Sequence, residues 1–339
     1  MSKNELGQFY TTNYKYILSN MEIPENVNTI IEPFVGNGDL LRFVKNINQY
    51  NIEIYDIDPK YTSTLQRDTL YYPPDYKDKF ILTNPPYLAR NKSKNKHIYD
   101  KYNCNDLYKC FIMSIIQSAS MGGIIIVPLN FISSIRKSDI ELRTKFLQLY
   151  SIKIVNIFEE RVFDDTSYTV CSIYFMKKNN NDSNNNIKMY IYPSKKVMLI
   201  NLNTENNYTI GGEIYNLPQN PKYKVERATK VNKKNITNIL LKCIDDSITN
   251  KLGFKIVSDE DRFIDDSPKL SARSYATLLI NKPLTLQEQT ELVDKMNNYI
   301  KEKREEYNSL FLTNYRESNS IARKRISFEL AFKICNYML

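Results

Sequence analysis

From residue 29 to about 177 the chain alternates two hydrophobic patterns. Short apolar runs rich in β-branched residues predict strands at TIIEPF (29–34), IEIYDI (52–57), KFILTN (79–84), IIIVPL (124–129), IKIVNIF (152–158) and VCSIYFM (170–176). Between them GDLLRFVKNI (38–47), DLYKCFIMSIIQSAS (106–120) and DIELRTKFLQLY (139–150) carry the longer spacing of a helix with one apolar face. Strands alternating with helices predict an α/β domain whose mostly parallel, Rossmann-like sheet is covered by helices. The last two strands are joined by EERVFDDTSYT, which has no helical period, so they are expected to pair as an antiparallel edge hairpin.

Past FMKK the pattern changes. NNNDSNNN (179–186) offers no apolar face and predicts a mobile surface loop closing a first domain, residues 1–180. Residues 187–339 form the second, smaller, mixed α+β domain, with strand-like pieces at MYIY (189–192) and YTIGGEIYNL (208–217). A long helix is predicted over 285–311, opened by the capping box Thr285–Glu288 and carried by Leu292, Met296 and Tyr299. A second helix over 320–338 is expected to fold back on it, ending the chain in a helical hairpin.

Two of only eight glycines, Gly36 and Gly38, stand in EPFVGNG between the first strand and the segment after it. Glycine there permits a tight turn and lets a ligand approach the backbone. Asp56 ends the second strand, where an acidic side chain meets ribose hydroxyls, and Asp68 follows at the same predicted sheet edge. The position three beyond Gly38 is Leu41, which disfavours a dinucleotide pyrophosphate cradle and leaves a cofactor containing adenosine.

At that edge KFIL runs into TNPPY, where proline forbids further ladder pairing. The Asn84 side-chain oxygen and the Pro85 carbonyl, set by a stiff turn, can accept both hydrogens of an exocyclic amine, exposing its lone pair. Tyr87 would stack on the base carrying that amine.

The net charge of +9 and pI near 9.0 suit a polyanionic partner. The single histidine, His97, and five scattered cysteines leave no material for a His-based triad or a metal site, and the cysteines read as reduced packing residues. No apolar run approaches a membrane span, and the first residues lack the apolar core of a signal peptide, so an intracellular, soluble protein with no membrane partner is expected.

EPFVGNG, YDIDP, RDTL and TNPPY, in that order and spacing, resemble the gamma-class DNA N6-adenine methyltransferases of restriction-modification systems, over residues 7 to 177. The resemblance implies S-adenosyl-L-methionine as cofactor, with Thr11 of GQFYTT, Glu32 and Gly36 beside its methionine end. It implies Asp56 and Ile57 at the ribose and adenine, Asp68 at the adenine amine, and Leu107 and Phe111 of DLYKCF closing over the adenine, with Asn84 shared between cofactor and substrate. It places Asn84, Pro85, Pro86 and Tyr87 in catalysis, with Phe163 of ERVF as a second aromatic against the target base and Tyr168 as its rival.

The implied reaction is methylation of the N6 amine of an adenine flipped from double-stranded DNA, with a cognate restriction endonuclease as a further partner. Residues 187–339 would then be the target-recognition domain. A protein glutamine methyltransferase also needs an NPPY turn, an RNA adenine presents the same amine, and a catalytically silent nucleic-acid binder could keep the sheet. SARSYATLL (271–279), ARKRIS (322–327) and the lysines of LARNKSKNKHIYDKY (88–102) are candidate phosphate contacts.

Overall fold

The computed structural model describes residues 7, 9–163, 169–179, 186–266, 274–316 and 322–339. The predicted loop at 180–185, Tyr168 and Ser271–Arg273 lie outside the described residues. The chain divides into two compact units, Met1–Asn203 and Thr204–Leu339.

The first unit is built on one nine-stranded sheet of β1 (Thr29–Glu32), β2 (Asn51–Asp56), β3 (Leu65–Gln66), β4 (Phe80–Thr83), β5 (Gly122–Pro128), β6 (Tyr150–Phe158), β7 (Val170–Lys177), β8 (Asn186–Tyr192) and β9 (Lys196–Asn201). Their spatial order is β3-β2-β1-β4-β5-β7-β6-β8-β9. The first five in that order are mutually parallel, so their C-terminal ends share one edge. β1, β4 and β5 are continuous apolar runs because both faces of the sheet are covered: Ile30, Ile31, Phe80 to Leu82 and Ile124 to Val127 are fully buried. Helices Leu107–Ser118 and Lys137–Leu149 fall where the spacing predicts them.

The connection after β1 differs from its prediction. Over 38–47 there is no α-helix, only the 3-10 turns Leu40–Phe43 and Ile47–Gln49, separated by Asn46 in the left-handed region at φ 50°. The chain must return to β2 within Asp39–Tyr50, and a helix that short gains little from its own cooperativity. Its apolar residues still pack, Leu41 and Ile47 against Val35, Ile52 and Ile54.

The helix-free hairpin β6–β7 is antiparallel, as expected, and β7 lies against β5. The sheet then continues past residue 180: β8 adds parallel to β6, and β9 antiparallel to β8 makes the outermost hairpin. Ile187, Met189 and Ile191 point inward while alternate residues face out, the period of a strand covered on one side.

The second unit holds a four-stranded sheet, ordered β10-β13-β11-β12, of β10 (Val225–Arg227), β11 (Ile236–Lys242), β12 (Gly253–Ile256) and β13 (Tyr275–Ile280). Helix Leu286–Glu306 opens on the predicted capping box, with Glu288 N–H donating to Thr285 Oγ1 at 3.2 Å and Thr285 N–H to Glu288 Oε2 at 2.7 Å. It buries Leu292, Val293, Met296 and Ile300 with Leu330, Ile334 and Cys335 of helix Phe328–Met338. Two expectations change here. Residues 208–217 contain the 3-10 helix Gly212–Asn216 in place of a strand. The segment 320–338 divides, its ARKR forming β15 (Ala322–Arg325) against β14 (Thr313–Arg316), so a β-hairpin stands between the two helices. No helix among the described residues is long and apolar enough to cross a membrane.

Candidate active site

A cleft enclosing about 1070 Å³, open solvent at its mouth included, lies at the C-terminal edge of β1, β2 and β4. Thr11, Gly36, Asp56, Ile57, Asp68, Asn84, Pro86 and Leu107 line it, so residues spread over nearly a hundred positions meet in one place.

The glycine turn forms one wall. Gly36 and Gly38 have φ of +51° and +78°, and a Cβ on Gly38 would lie 2.3 Å from the Tyr61 ring, so no other residue fits that turn unchanged. Asp56 fastens it from the end of β2: Oδ2 accepts the Gly36 N–H at 2.8 Å and Oδ1 the Asp58 N–H at 2.9 Å. Each carboxylate oxygen has two acceptor directions, so these bonds do not exhaust the group. Asp68 accepts the N–H groups of Leu70 and Tyr71 through Oδ1, at 3.1 and 2.9 Å.

Glu32 stands behind this wall and does not line it. Its Oε1 accepts from Phe34 N–H at 3.2 Å and from the Thr83 hydroxyl, while Oε2 is buried with no hydrogen-bond partner. Burial pushes its carboxyl up to about 8 against the pull of Thr83 and Phe34, and the neighbouring Asp56 charge adds to the rise. An orphaned carboxylate oxygen beside a cleft is what a cationic ligand group would satisfy.

The NPPY turn closes the other side. Asn84 Nδ2 donates to the Phe9 carbonyl at 2.7 Å and to Thr11 Oγ1 at 3.1 Å. A carbonyl can only accept, so the amide nitrogen must face Phe9 and the side-chain oxygen is the acceptor on the other side. The Tyr87 hydroxyl lies against Asn84 Oδ1 and 2.7 Å from the Ile126 carbonyl. Burial holds that hydroxyl well above its ordinary pKa, so it keeps its single proton and serves one of these acceptors at a time. An amine donating to Asn84 Oδ1 would let Tyr87 commit to Ile126.

Besides Glu32, four expected residues do not line the cleft. Pro85 is within the turn, and Phe111 is fully buried behind Phe34, edge to face at 5.3 Å. The Tyr87 and Phe163 rings are only 2% and 4% exposed, which leaves neither open to a ligand in this conformation. Both lie against Phe9, centroids 5.3 and 6.3 Å away.

Several lining residues are not among those the sequence singles out, among them Tyr10, Phe34 and Arg67, and residues 88–102 were expected only to offer lysines to phosphate. Leu88, Ser93, Asn95, Ile98 and Tyr99 instead wall the cleft. Lys96 is tied back to the carbonyls of Arg90 and Ser93, and Tyr99, 1% exposed, donates to the Leu88 carbonyl at 3.0 Å. The apolar spacing of Leu88, Ile98, Tyr99 and Tyr102 was the available signal, hidden among lysines. Exposed His97 packs its ring on Tyr71, and no cluster of three or more His, Cys, Asp or Glu among the described residues could hold a metal ion.

No curated protein matches the chain. Solved structures with similar folds include a modification subunit of a putative type I restriction enzyme from Vibrio vulnificus YJ016, at 16% identity and TM-score 0.39 over 56% of this chain and 49% of that one. Another is the methyltransferase subunit of a type I restriction-modification system from Streptococcus thermophilus, at 16% identity and TM-score 0.40 over 60% of this chain and 52% of that one. A putative class I S-adenosylmethionine-dependent methyltransferase from Listeria monocytogenes gives 15% identity and TM-score 0.37 over 52% of this chain and 61% of that one. The chain therefore spans less than two thirds of each of these proteins. The model of the N-6 DNA methylase family matches residues 39–210, just over half of the sequence. That match begins immediately after Gly38 and takes in Asp56, Asp68 and the whole NPPY turn, and by it the chain belongs to the N-6 DNA methylase family.

Proposed function

We propose that the chain methylates the N6 amine of an adenine turned out of double-stranded DNA at specific sites, with S-adenosyl-L-methionine as the donor. The observation that carries this reading is the orientation of Asn84. Its nitrogen is held by Phe9 and Thr11, which turns its oxygen, met by the Tyr87 hydroxyl, into the acceptor beside the Pro85–Pro86 turn at the wall of the cleft.

The residues fit such a donor. Glu32, whose Oε2 lacks a partner, is buried behind the wall and would meet an ammonium group only where that wall gives way and the acid loses its proton. Asp56 suits ribose hydroxyls, Asp68 an adenine amine, and Leu107 with Ile57 the faces of the purine. When bound, the cofactor supplies a methyl group on a positively charged sulfur.

The protein's part is to position and to polarise. Asn84 Oδ1 and the Pro85 carbonyl accept the two hydrogens of the target amine, drawing its nitrogen towards tetrahedral geometry with the lone pair aimed at the methyl carbon. Tyr87 and Phe163 hold the faces of the base. Moving the methyl group from sulfur to that nitrogen would leave the amine one surplus proton, which Asn84 Oδ1 and the Pro85 carbonyl would hold until it passed to water.

The basic second unit, Thr204–Leu339, is proposed to read the target sequence, with exposed Lys233 and Lys234 as phosphate contacts that the sequence reading did not single out. The modification would shield its sites from a cognate restriction endonuclease. Membership in a DNA methylase family leaves the protein-amide and RNA readings without an observation in their favour.

The test is transfer of labelled methyl to unmethylated DNA, to RNA and to a protein extract in parallel, followed by sequencing of the methylated DNA for base and site. Asn84→Ala is expected to lose methylation while cofactor binding stays within a fewfold. Label in RNA or protein and none in DNA would overturn the substrate; normal turnover by Asn84→Ala would overturn the pocket.

A further inference from the structure

The two rings assigned to the target base are both covered by a third. Phe9 stacks on Tyr87 with an interplanar angle of 28°, and lies against Phe163 at 38°. Both separations are those of packed aromatic pairs, about 4.5–7 Å. A base cannot reach Tyr87 while Phe9 is there, since the Tyr87 ring has almost no free surface.

The backbone of the same segment is fastened to the catalytic turn. Tyr87 N–H donates to the Gly7 carbonyl at 2.9 Å, and Asn84 Nδ2 to the Phe9 carbonyl at 2.7 Å. Phe9, Tyr10 and Thr11 also form part of the cofactor cleft. One short stretch thus touches the donor site, the amine acceptor and the stacking rings.

Resting on the function proposed above, we propose that Phe9 is a positioning residue that occupies the seat of the target adenine in the DNA-free enzyme and yields it as the base enters. An apolar slot between two buried rings cannot stand empty: it collapses or takes on water. The Phe9 ring keeps Tyr87 and Phe163 packed and dry, presenting flat aromatic surface as the adenine does. Because the segment's hydrogen bonds to Asn84 and Tyr87 run through its backbone, the side chain can leave while the Asn84 amide stays oriented. Every base that enters must then outcompete a stacked ring, which raises the threshold for bases held weakly by Asn84 and Pro85.

The chain has no tryptophan, so Phe9→Trp adds a lone reporter. The experiment begins with wild-type methyl transfer to unmethylated DNA, which fixes the site duplex. If no DNA is methylated, the functional reading falls, and the plug with it. With S-adenosylhomocysteine present, the site duplex is expected to shift Phe9→Trp emission to the red as the indole leaves Tyr87. Unmoved emission at duplex saturation overturns the plug while leaving the functional reading intact.

A duplex with 2-aminopurine at the target gives the second measurement. Phe9→Ala is expected to bind it roughly three- to tenfold more tightly than wild type and with brighter fluorescence, from loss of one competing ring contact. Equal or weaker binding overturns the proposal, because a ring that only held the fold together would weaken binding when removed. Phe9→Leu, which keeps apolar bulk, takes the place of Phe9→Ala if the latter melts below the assay temperature, with the same direction expected.

Discussion

Glu32→Gln tests how the cofactor cleft handles charge. Burial lifts the wild-type carboxyl from 4.5 to about 8. The folded protein therefore holds a proton that the unfolded chain has released. Stability is greatest below pH 4.5 and falls by up to about 1.4 kcal/mol per unit as pH rises towards 8. At pH 8 the accumulated cost is about 4 kcal/mol at most. The glutamine amide introduced by Glu32→Gln has nearly the same shape and no proton to lose, and its two N–H donors stand where the protonated acid has one unpaired O–H. Urea denaturation is expected to show the variant less stable than wild type near pH 4.5 and to show that deficit shrink or reverse towards pH 8.

Ligand binding should reverse the effect. An ammonium group beside Oε2 lowers the Glu32 pKa, so wild-type uptake of S-adenosylhomocysteine near pH 7 releases close to one proton, read by calorimetry in buffers of different ionisation heat. Methylthioadenosine, which has no ammonium group, should release none, and Glu32→Gln should abolish the difference. Equal pH profiles for the two proteins would refute the buried-carboxyl argument. Equal proton release from both ligands would refute the assignment of the ammonium to Glu32.

Tyr87→Phe removes the hydroxyl donor to Ile126 and keeps the ring, so chemical denaturation should show a loss of about 1–2 kcal/mol while methylation initial rates stay within about tenfold. Replacing exposed Lys92 and Lys94 together by Ala should lower the slope of log affinity for DNA against log salt by up to about 2, whereas an unchanged slope would remove the loop from the DNA interface. In the second unit, Arg304 donates to both oxygens of buried Asp245 at 3.1 and 2.7 Å. Arg304→Ala should cost about 3 kcal/mol by urea titration, because the buried carboxylate loses its counter-charge and keeps only the Leu252 N–H.

The parts of the fold written in short-range patterns were legible. Each of the six predicted strands forms within a few residues of its predicted ends, because β-branched runs between polar breaks have few other uses in a covered sheet. The capping box at Thr285 fixed a helix start to the residue. What failed was context. GDLLRFVKNI has helical spacing, but the distance back to β2 leaves room only for 3-10 turns. ARKR has helical composition and lies in a strand paired with β14. Strand β8 was in plain view as the alternation of Ile187, Met189 and Ile191, yet the polar tract before it suggested a boundary.

The site divides the same way. Asp56, Asp68 and Asn84 were placed at one edge by the logic of parallel strands, and they meet there. Phe9 stands within GQFYTT, but that motif singled out only Thr11, since the contacts of Phe9 join positions over seventy residues apart and partly run through a backbone carbonyl that no side-chain pattern encodes.

The charge of the cleft opposes that of the chain. Among its lining residues Asp39, Asp56 and Asp68 face a single Arg67, while the whole protein carries +9. Arg67 is already engaged by the carbonyls of Tyr72 and Pro73, at 2.6 and 3.0 Å. Such a separation sorts two ligands of opposite sign. Under the function proposed above, the polyanion would be drawn to the basic exterior, and the acidic cleft would be a poor place for a phosphate. A donor with a net positive charge would be favoured there and would lose that charge with its methyl group. The same carboxylates would then hold the neutral product less tightly, so turnover itself would weaken the grip on what must depart. Asp68→Asn should accordingly narrow the ratio of donor to product affinity, and a ratio unchanged while both affinities fall equally would show that Asp68 acts through shape and hydrogen bonding alone.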